Sequence, residues 1–211
     1  MIPRPVPGRR VGIVDYLAGN LRSITNAFEF LGADVVRVHQ PAEADHLTHL
    51  VLPGVGAFGF CAERLAKSGL MGAIENWAFD LQRPILGICV GMQLLADASE
   101  ESPTVPGLGW IGGHVRLIPA VDGLVRVPHV GWNTVTFEAS CGEYKAGDQA
   151  DFYFDHSFAF VAPGRGITVA SCEHAIRFSA IVRRDNIVAA QFHPEKSQAC
   201  GIRFLRGFLA G

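Results

Sequence analysis

One stretch of this chain, Pro84-Ile85-Leu86-Gly87-Ile88-Cys89-Val90-Gly91-Met92-Gln93-Leu94-Leu95, compresses a strand, a sharp turn and a helix into a single unit. The apolar run 85–88 reads as a strand buried on both faces, while Met92, Leu95 and Ala96 recur at helical spacing across 90–98. Cys89 stands at the turn between them. Glycines at 87 and 91 give the pattern G-x-C-x-G, the thiol counterpart of the G-x-S-x-G elbow, in which small neighbours let the backbone bend sharply and expose the nucleophile. Unpaired N–H groups at a helix start favour a thiolate over a thiol. A strand covered on both faces belongs to a parallel α/β sheet, so this unit predicts the fold class as well as a site.

The flanking segments repeat the theme. Residues 11–16 read as a first buried strand, 17–20 as a turn, and 21–31 as a helix closed by Gly32. Strands at 35–39 and 49–52 follow, the latter stopping at Pro53-Gly54-Val55-Gly56, whose glycines allow backbone N–H groups to turn toward a bound group. Helices are expected over 60–65 and 73–81. This alternation predicts a mainly parallel central sheet with helices on both faces, flavodoxin-like in outline.

Beyond Glu101 the pattern becomes Gly/Pro-punctuated and β-rich, with segments at 109–118, 125–137, 150–162 and 168–173 and a hairpin of 179–184 with 187–191 about Asp185-Asn186. An antiparallel C-terminal half is expected, closed by a helix over 197–209. Residues 1–10 read as an irregular tail and 11–211 as one domain.

Composition narrows the function. A net charge of −2 leaves no electrostatic footprint for nucleic acid, and no run of about 18 apolar residues suggests a membrane span. Five cysteines without a C-x-x-C pair indicate neither a disulfide framework nor a thiolate zinc site, and a reducing cytoplasm fits them best. His46 and His49 have no visible third ligand, so no metal or cofactor is assigned.

A thiol nucleophile needs a base, and a base works best when a carboxylate fixes its tautomer. Gln191-Phe192-His193-Pro194-Glu195 offers both, because residues two apart on a chain leaving a strand face the same side. Pro194 helps end the sheet ladder there. Cys89, His193 and Glu195 are therefore the expected catalytic set.

The Pro-Gly-Val-Gly loop, the Gly87-to-Gln93 elbow and His193-Pro194-Glu195 together resemble the class I (triad) glutamine amidotransferases over essentially the whole chain. Asp15-Tyr16, Gly19-Asn20-Leu21, Val127-Pro128-His129-Val130-Gly131-Trp132-Asn133, Tyr153-Phe154, His156-Ser157 and His193-to-Ser197 narrow the likeness. They resemble the branch that serves a separate (β/α)8-barrel cyclase making imidazole glycerol phosphate. The resemblance implies that Cys89 attacks the side-chain amide of glutamine, His193 protonates the leaving ammonia and Glu195 orients His193. It implies oxyanion donors on Val90 and on Val55 or Gly56, and glutamine contacts from Gly54, Gln93, Glu101, Tyr153, Ser157 and Phe158. Asn20, Phe58, His129, Trp132 and Lys196 are the implied interface with the cyclase, which must be a separate subunit because such a barrel needs about 250 residues. On the residues alone, Gln93 could equally pack on the elbow helix, Glu101 stand in a solvated loop and Trp132 fill a core. Leu17 and the Asp155-to-Phe158 segment depart from the usual pattern of the branch. Another amidotransferase, a γ-glutamyl hydrolase, or a non-catalytic flavodoxin-like protein with an oxidisable cysteine are the alternative readings.

Overall fold

The computed structural model describes residues 6–122, 125–164 and 166–211. Its elements in chain order are β1 (Arg10–Val14), α1 (Leu21–Phe30), β2 (Asp34–Val38), β3 (His49–Leu52), α2 (Phe58–Lys67), α3 (Met71–Glu75), β4 (Ile85–Ile88) and α4 (Val90–Gln93). Then come β5 (Ala98–Ser99), β6 (His114–Leu117), β7 (His129–Phe137), β8 (Gln149–His156), β9 (Phe158–Val161), β10 (Thr168–His174), β11 (Ile176–Arg184), β12 (Ile187–Ala190) and α5 (Gln198–Ala210).

Among the described residues the main sheet has nine strands in the order β2-β1-β3-β4-β12-β11-β10-β7-β8. From β2 to β12 every pairing is parallel; from β12 to β8 every pairing is antiparallel. The α/β half and the β-rich half thus share one sheet, with β12 paired on one edge to β4 and on the other to β11. All residues of β3 and β4 are buried, as a strand covered on both faces must be. On one face His49 meets Phe208 of α5 edge-on at 5.0 Å, and Phe208 meets Phe28 of α1 at 6.5 Å. A smaller sheet, β5-β6-β9, carries the chain out of the main one, with the crossing between β8 and β9 at Ser157.

Local sequence accounts for several boundaries. In α1 the residues Ile24, Ala27 and Phe28 form the buried stripe. Gly32, at φ +83°, ends the helix by donating to Glu29 O while Ala33 N–H reaches back to Phe28 O. The helix expected over 73–81 is α3 followed by a π-helical turn, Asn76–Asp80.

The elbow helix is shorter than its spacing predicts, stopping at Gln93 rather than 98. The carbonyls of Leu94, Leu95 and Ala96 accept hydrogen bonds from the N–H groups of Leu108, Ile111 and Gly109. With its carbonyls taken by a distant loop, that segment has no use for a helical ladder.

Candidate active site

Cys89 ends β4 at φ +54° and ψ −112°, a conformation that a residue with a side chain adopts only when its surroundings compel it. Its own N–H is held by Ala190 O of β12 at 2.8 Å. The compulsion comes from close packing: a Cβ on Gly91 would lie 1.9 Å from Leu52 O, and one on Gly54 would lie 2.7 Å from Gly91 N. The elbow is thereby locked beneath the Pro53–Gly56 loop, with Cys89 almost entirely buried at its tip.

His193 arrives through the neighbouring strand, because the pairing of Ala190 with Ile88 brings the end of β12 beside the end of β4. Phe192, stacked on Phe152 at 4.0 Å, roots the segment in the core. Ser197 clamps it: its hydroxyl donates to His193 O (2.6 Å) and accepts from Tyr153 N–H (2.9 Å), while His193 N–H donates to Tyr153 O. His193 Nδ1 meets Glu195 Oε1 at 2.8 Å, both side chains being buried. This contact does not arise from strand alternation, as expected above. Pro194 opens a 3-10 turn, Pro194–Lys196, which folds Glu195 back under the imidazole, since proline suits the first position of a helical turn and cannot donate to a sheet ladder.

Cys89 and His193 face the same crevice. Burial opposes charge on the imidazole, but the Cys89 sulfur and the Glu195 carboxylate outweigh it and raise His193 to about 10. A sulfur, an imidazole and a buried carboxylate are the groups from which a nucleophile, a proton carrier and a tautomer-fixing partner can be built.

Cys89 and His193 open into a crevice of about 500 Å³ at the carboxyl ends of β3, β4 and β12. Asn20, Val55, Gly56, Val90, Gln93, Glu101, Ser157, Phe158 and Lys196 share its lining. A pocket of this size at the carboxyl ends of the central strands, lined by a thiol and by an imidazole paired with a carboxylate, has the groups that acyl transfer requires. A model of the family described as glutamine amidotransferase class-I matches residues 12–209.

The chain belongs to the class-I glutamine amidotransferases.

The amidotransferase is 41% identical over 209 residues to "Imidazole glycerol phosphate synthase subunit HisH" of Rhodospirillum rubrum, covering 95% of this chain and 98% of that one. It is 43% identical over 203 residues to the protein of the same name from Zymomonas mobilis, covering 94% of each. "Imidazole glycerol phosphate synthase hisHF" of Emericella nidulans is 39% identical over 212 residues, but there the match covers 95% of this chain and 38% of the longer protein. Among solved structures, "Structure of PurLQS from Thermotoga maritima" superposes with a TM-score of 0.76 at 19% identity, covering 96% of this chain and 98% of that one, a likeness of fold.

Other residues singled out in the sequence lie elsewhere in the amidotransferase. Gly54 lies within the loop, packed against the elbow, and Tyr153 lies outside the crevice, edge-on to Trp132 and under the ammonium of Lys196. Trp132 is 48% exposed on β7. Phe58 and His129, expected at a subunit interface, are instead buried: Phe58 begins α2 in the core, and His129 packs between Phe154 and His174. Glu101 Oε2 accepts from Phe58 N–H at 2.8 Å, so this carboxylate caps α2 as well as lining the crevice.

Two residues were not foreseen. Gln191, fully buried, accepts from Gln93 Nε2 (3.1 Å) and directs its own amide N–H at Cys89 Sγ (3.9 Å). His156 lines the crevice and donates from Nδ1 to Phe158 O (2.8 Å), which also accepts from Gln93 (2.8 Å). That tautomer leaves His156 Nε2 to accept from His129 Nδ1–H at 3.0 Å. Burial lowers His156 to about 4, so it stays neutral. Their places in the Gln-Phe-His and His-Ser motifs were the available signal.

Among the described residues no helix is long and apolar enough to cross a membrane, and no group of His, Cys, Asp and Glu could hold a metal ion.

Proposed function

We propose that this chain is the glutaminase subunit of imidazole glycerol phosphate synthase, hydrolysing L-glutamine to L-glutamate and ammonia for a (β/α)8-barrel cyclase subunit. The observation that carries the chemistry is the strained Cys89 elbow beside the buried His193–Glu195 pair. The choice of branch rests on relatives of about 40% identity that match over nearly their whole length and bear that synthase's name. The fused fungal relative supports a two-part enzyme, since much of its length lies outside the match.

In this reading the Cys89 thiolate attacks the carboxamide carbon of glutamine, and the C=O electron pair moves to oxygen. The N–H of Val90 and that of Val55 or Gly56 receive the oxyanion. His193, held protonated by its two neighbours, gives its proton to the departing nitrogen as the C–N bond breaks, leaving a glutamyl thioester and ammonia. Neutral His193 then takes a proton from water as the water oxygen attacks the thioester carbon, and collapse of the intermediate breaks the C–S bond, releasing glutamate and restoring the Cys89 thiolate beside protonated His193. Gln93, Glu101 and Ser157 hold the substrate's polar ends, and Phe158 packs beside them in the lining. Asn20, Trp132 and Lys196 meet the cyclase around the mouth. The free cysteines support a reducing cytoplasm as its setting.

The test is glutamine turnover by the purified chain, alone and with the cyclase subunit of the same organism. Ammonia release that rises on adding the cyclase, and that Cys89→Ala abolishes while unfolding cooperatively at an unchanged temperature, supports the reading. Equal turnover without the cyclase points to a free-standing hydrolase instead, and turnover by Cys89→Ala removes the nucleophile.

A further inference from the structure

Two buried donors behind the glycine loop have no part in the chemistry described so far. Tyr16, just after β1, donates its hydroxyl to Pro53 O at 2.5 Å, and Cys61, on α2, donates its thiol hydrogen to Val55 O at 3.5 Å. Both side chains are almost wholly out of solvent. Burial raises the Tyr16 hydroxyl well above its usual range and pushes the Cys61 thiol up to about 11, so each keeps its proton at neutral pH and acts as a donor.

The loop is gripped on several sides. A Cβ on Gly54 would stand 2.9 Å from Val90 Cβ and 3.0 Å from the Tyr16 oxygen, so the loop lies sandwiched between Tyr16 and the elbow. Downstream, Glu101 and Ser102 accept from Phe58 N–H and Gly59 N–H and so fix the start of α2. A trans peptide is rigid and planar, so holding a carbonyl also sets the direction of the N–H on the same unit. Tyr16 thereby sets the Pro53–Gly54 plane and Cys61 the Val55–Gly56 plane, which flank the peptide bearing the Val55 N–H.

We propose that Tyr16 and Cys61 are positioning residues for amide hydrolysis: by holding the Pro53 and Val55 carbonyls from behind, they set the aim of the loop N–H groups that receive the oxyanion. The inference rests on the glutaminase reading above. Such donors act mainly on the oxygen that becomes negative, so a loop that loses its anchor loses rate before it loses affinity.

The experiment uses the full chain with its cyclase, in the unsubstituted form and as Cys61→Ala, Cys61→Ser and Tyr16→Phe. Glutamine kcat and KM are measured, together with the rate at which iodoacetamide alkylates Cys89, a displacement that needs no oxyanion donor. Expected are a fall in kcat of roughly tenfold or more for Cys61→Ala and Tyr16→Phe, against the hundredfold or more reported by loss of a whole oxyanion donor. KM and the alkylation rate stay within about twofold, and Cys61→Ser, which keeps an O–H, recovers most of the rate. The proposal is overturned if kcat is unmoved, if alkylation falls in parallel with it, or if serine does no better than alanine, which would make Cys61 a space filler. Absence of turnover in the unsubstituted complex would instead bring down the glutaminase reading, and this proposal with it.

Discussion

Replacing Gly91 by alanine tests whether the elbow is held by close packing of backbone on backbone. An added Cβ would sit 1.9 Å from Leu52 O, 2.9 Å from Leu52 C and 3.2 Å from Pro53 C, all main-chain atoms that no rotamer change can move aside. The nearest approach is about 1.5 Å short of ordinary contact, so the elbow and the end of β3 must separate by more than about 1 Å. Overpacking of this kind costs about 1–3 kcal/mol, and in a chain of this size each kilocalorie lowers the Tm by roughly 2–4 °C, so a fall of about 2–12 °C is expected. The same separation carries Cys89 and the Val90 N–H away from the loop opposite, and a misplacement of about 1 Å costs on the order of a hundredfold in rate. Calorimetric unfolding and glutamine turnover read the two effects. Gly72→Ala is the control: nothing lies within 4 Å of its Cβ position in α3, so it should leave turnover unchanged and stabilise by about 0.5–1 kcal/mol. If Gly91→Ala matched the native protein in both Tm and turnover, the packing argument for the elbow would be wrong.

Glu195→Gln keeps a hydrogen-bond acceptor beside His193 but removes the charge, a loss of about 1–1.5 kcal/mol that should lower kcat roughly 5- to 12-fold. Because His193 is raised from 6.5 to about 10 against the pull of burial, with Glu195 among the causes, the variant's high-pH loss of activity should begin at lower pH. The stability that this charged imidazole contributes is fully present below about 6.5 and disappears as pH rises through about 10, so the native advantage over Glu195→Gln in urea should shrink across that window. Asn186→Ala removes two hydrogen bonds, from Nδ2 to Ala78 O (2.9 Å) and Arg83 O (2.8 Å), that tie the β11–β12 turn to the lead into β4. A cost of about 1–3 kcal/mol in urea unfolding is expected, with an unchanged m-value. Trp132→Ala should weaken binding of the cyclase by about 2 kcal/mol, roughly 30-fold by calorimetric titration, and leave the chain's own unfolding temperature unmoved, because the side chain is half exposed and supports little of the core.

What the sequence determined by itself is the set of features written within a few residues of one another. The run 85–88 demanded a strand covered on both faces, Gly87 and Gly91 permitted the bend at Cys89, and Gly32 stopped α1, each through local sterics and side-chain periodicity. Pro194 likewise announced the end of the β12 ladder, though the turn it opens, rather than strand alternation, sets Glu195 under His193. Tertiary structure decided everything that depends on which distant segments meet. The parallel pairing of β12 with β4 brings His193 to Cys89, and the loop around 107–111 takes the carbonyls that would have prolonged the elbow helix. The packing of β7, β8 and β10 buries His129, and the core around α2 buries Phe58. Gln191 entered the site for the same reason, its amide placed between Gln93 and the sulfur by strands far apart along the chain. Local propensity acts over a few bonds, whereas strand partners and buried contacts are chosen by how the whole apolar surface is removed from water, and no short window of sequence contains that choice.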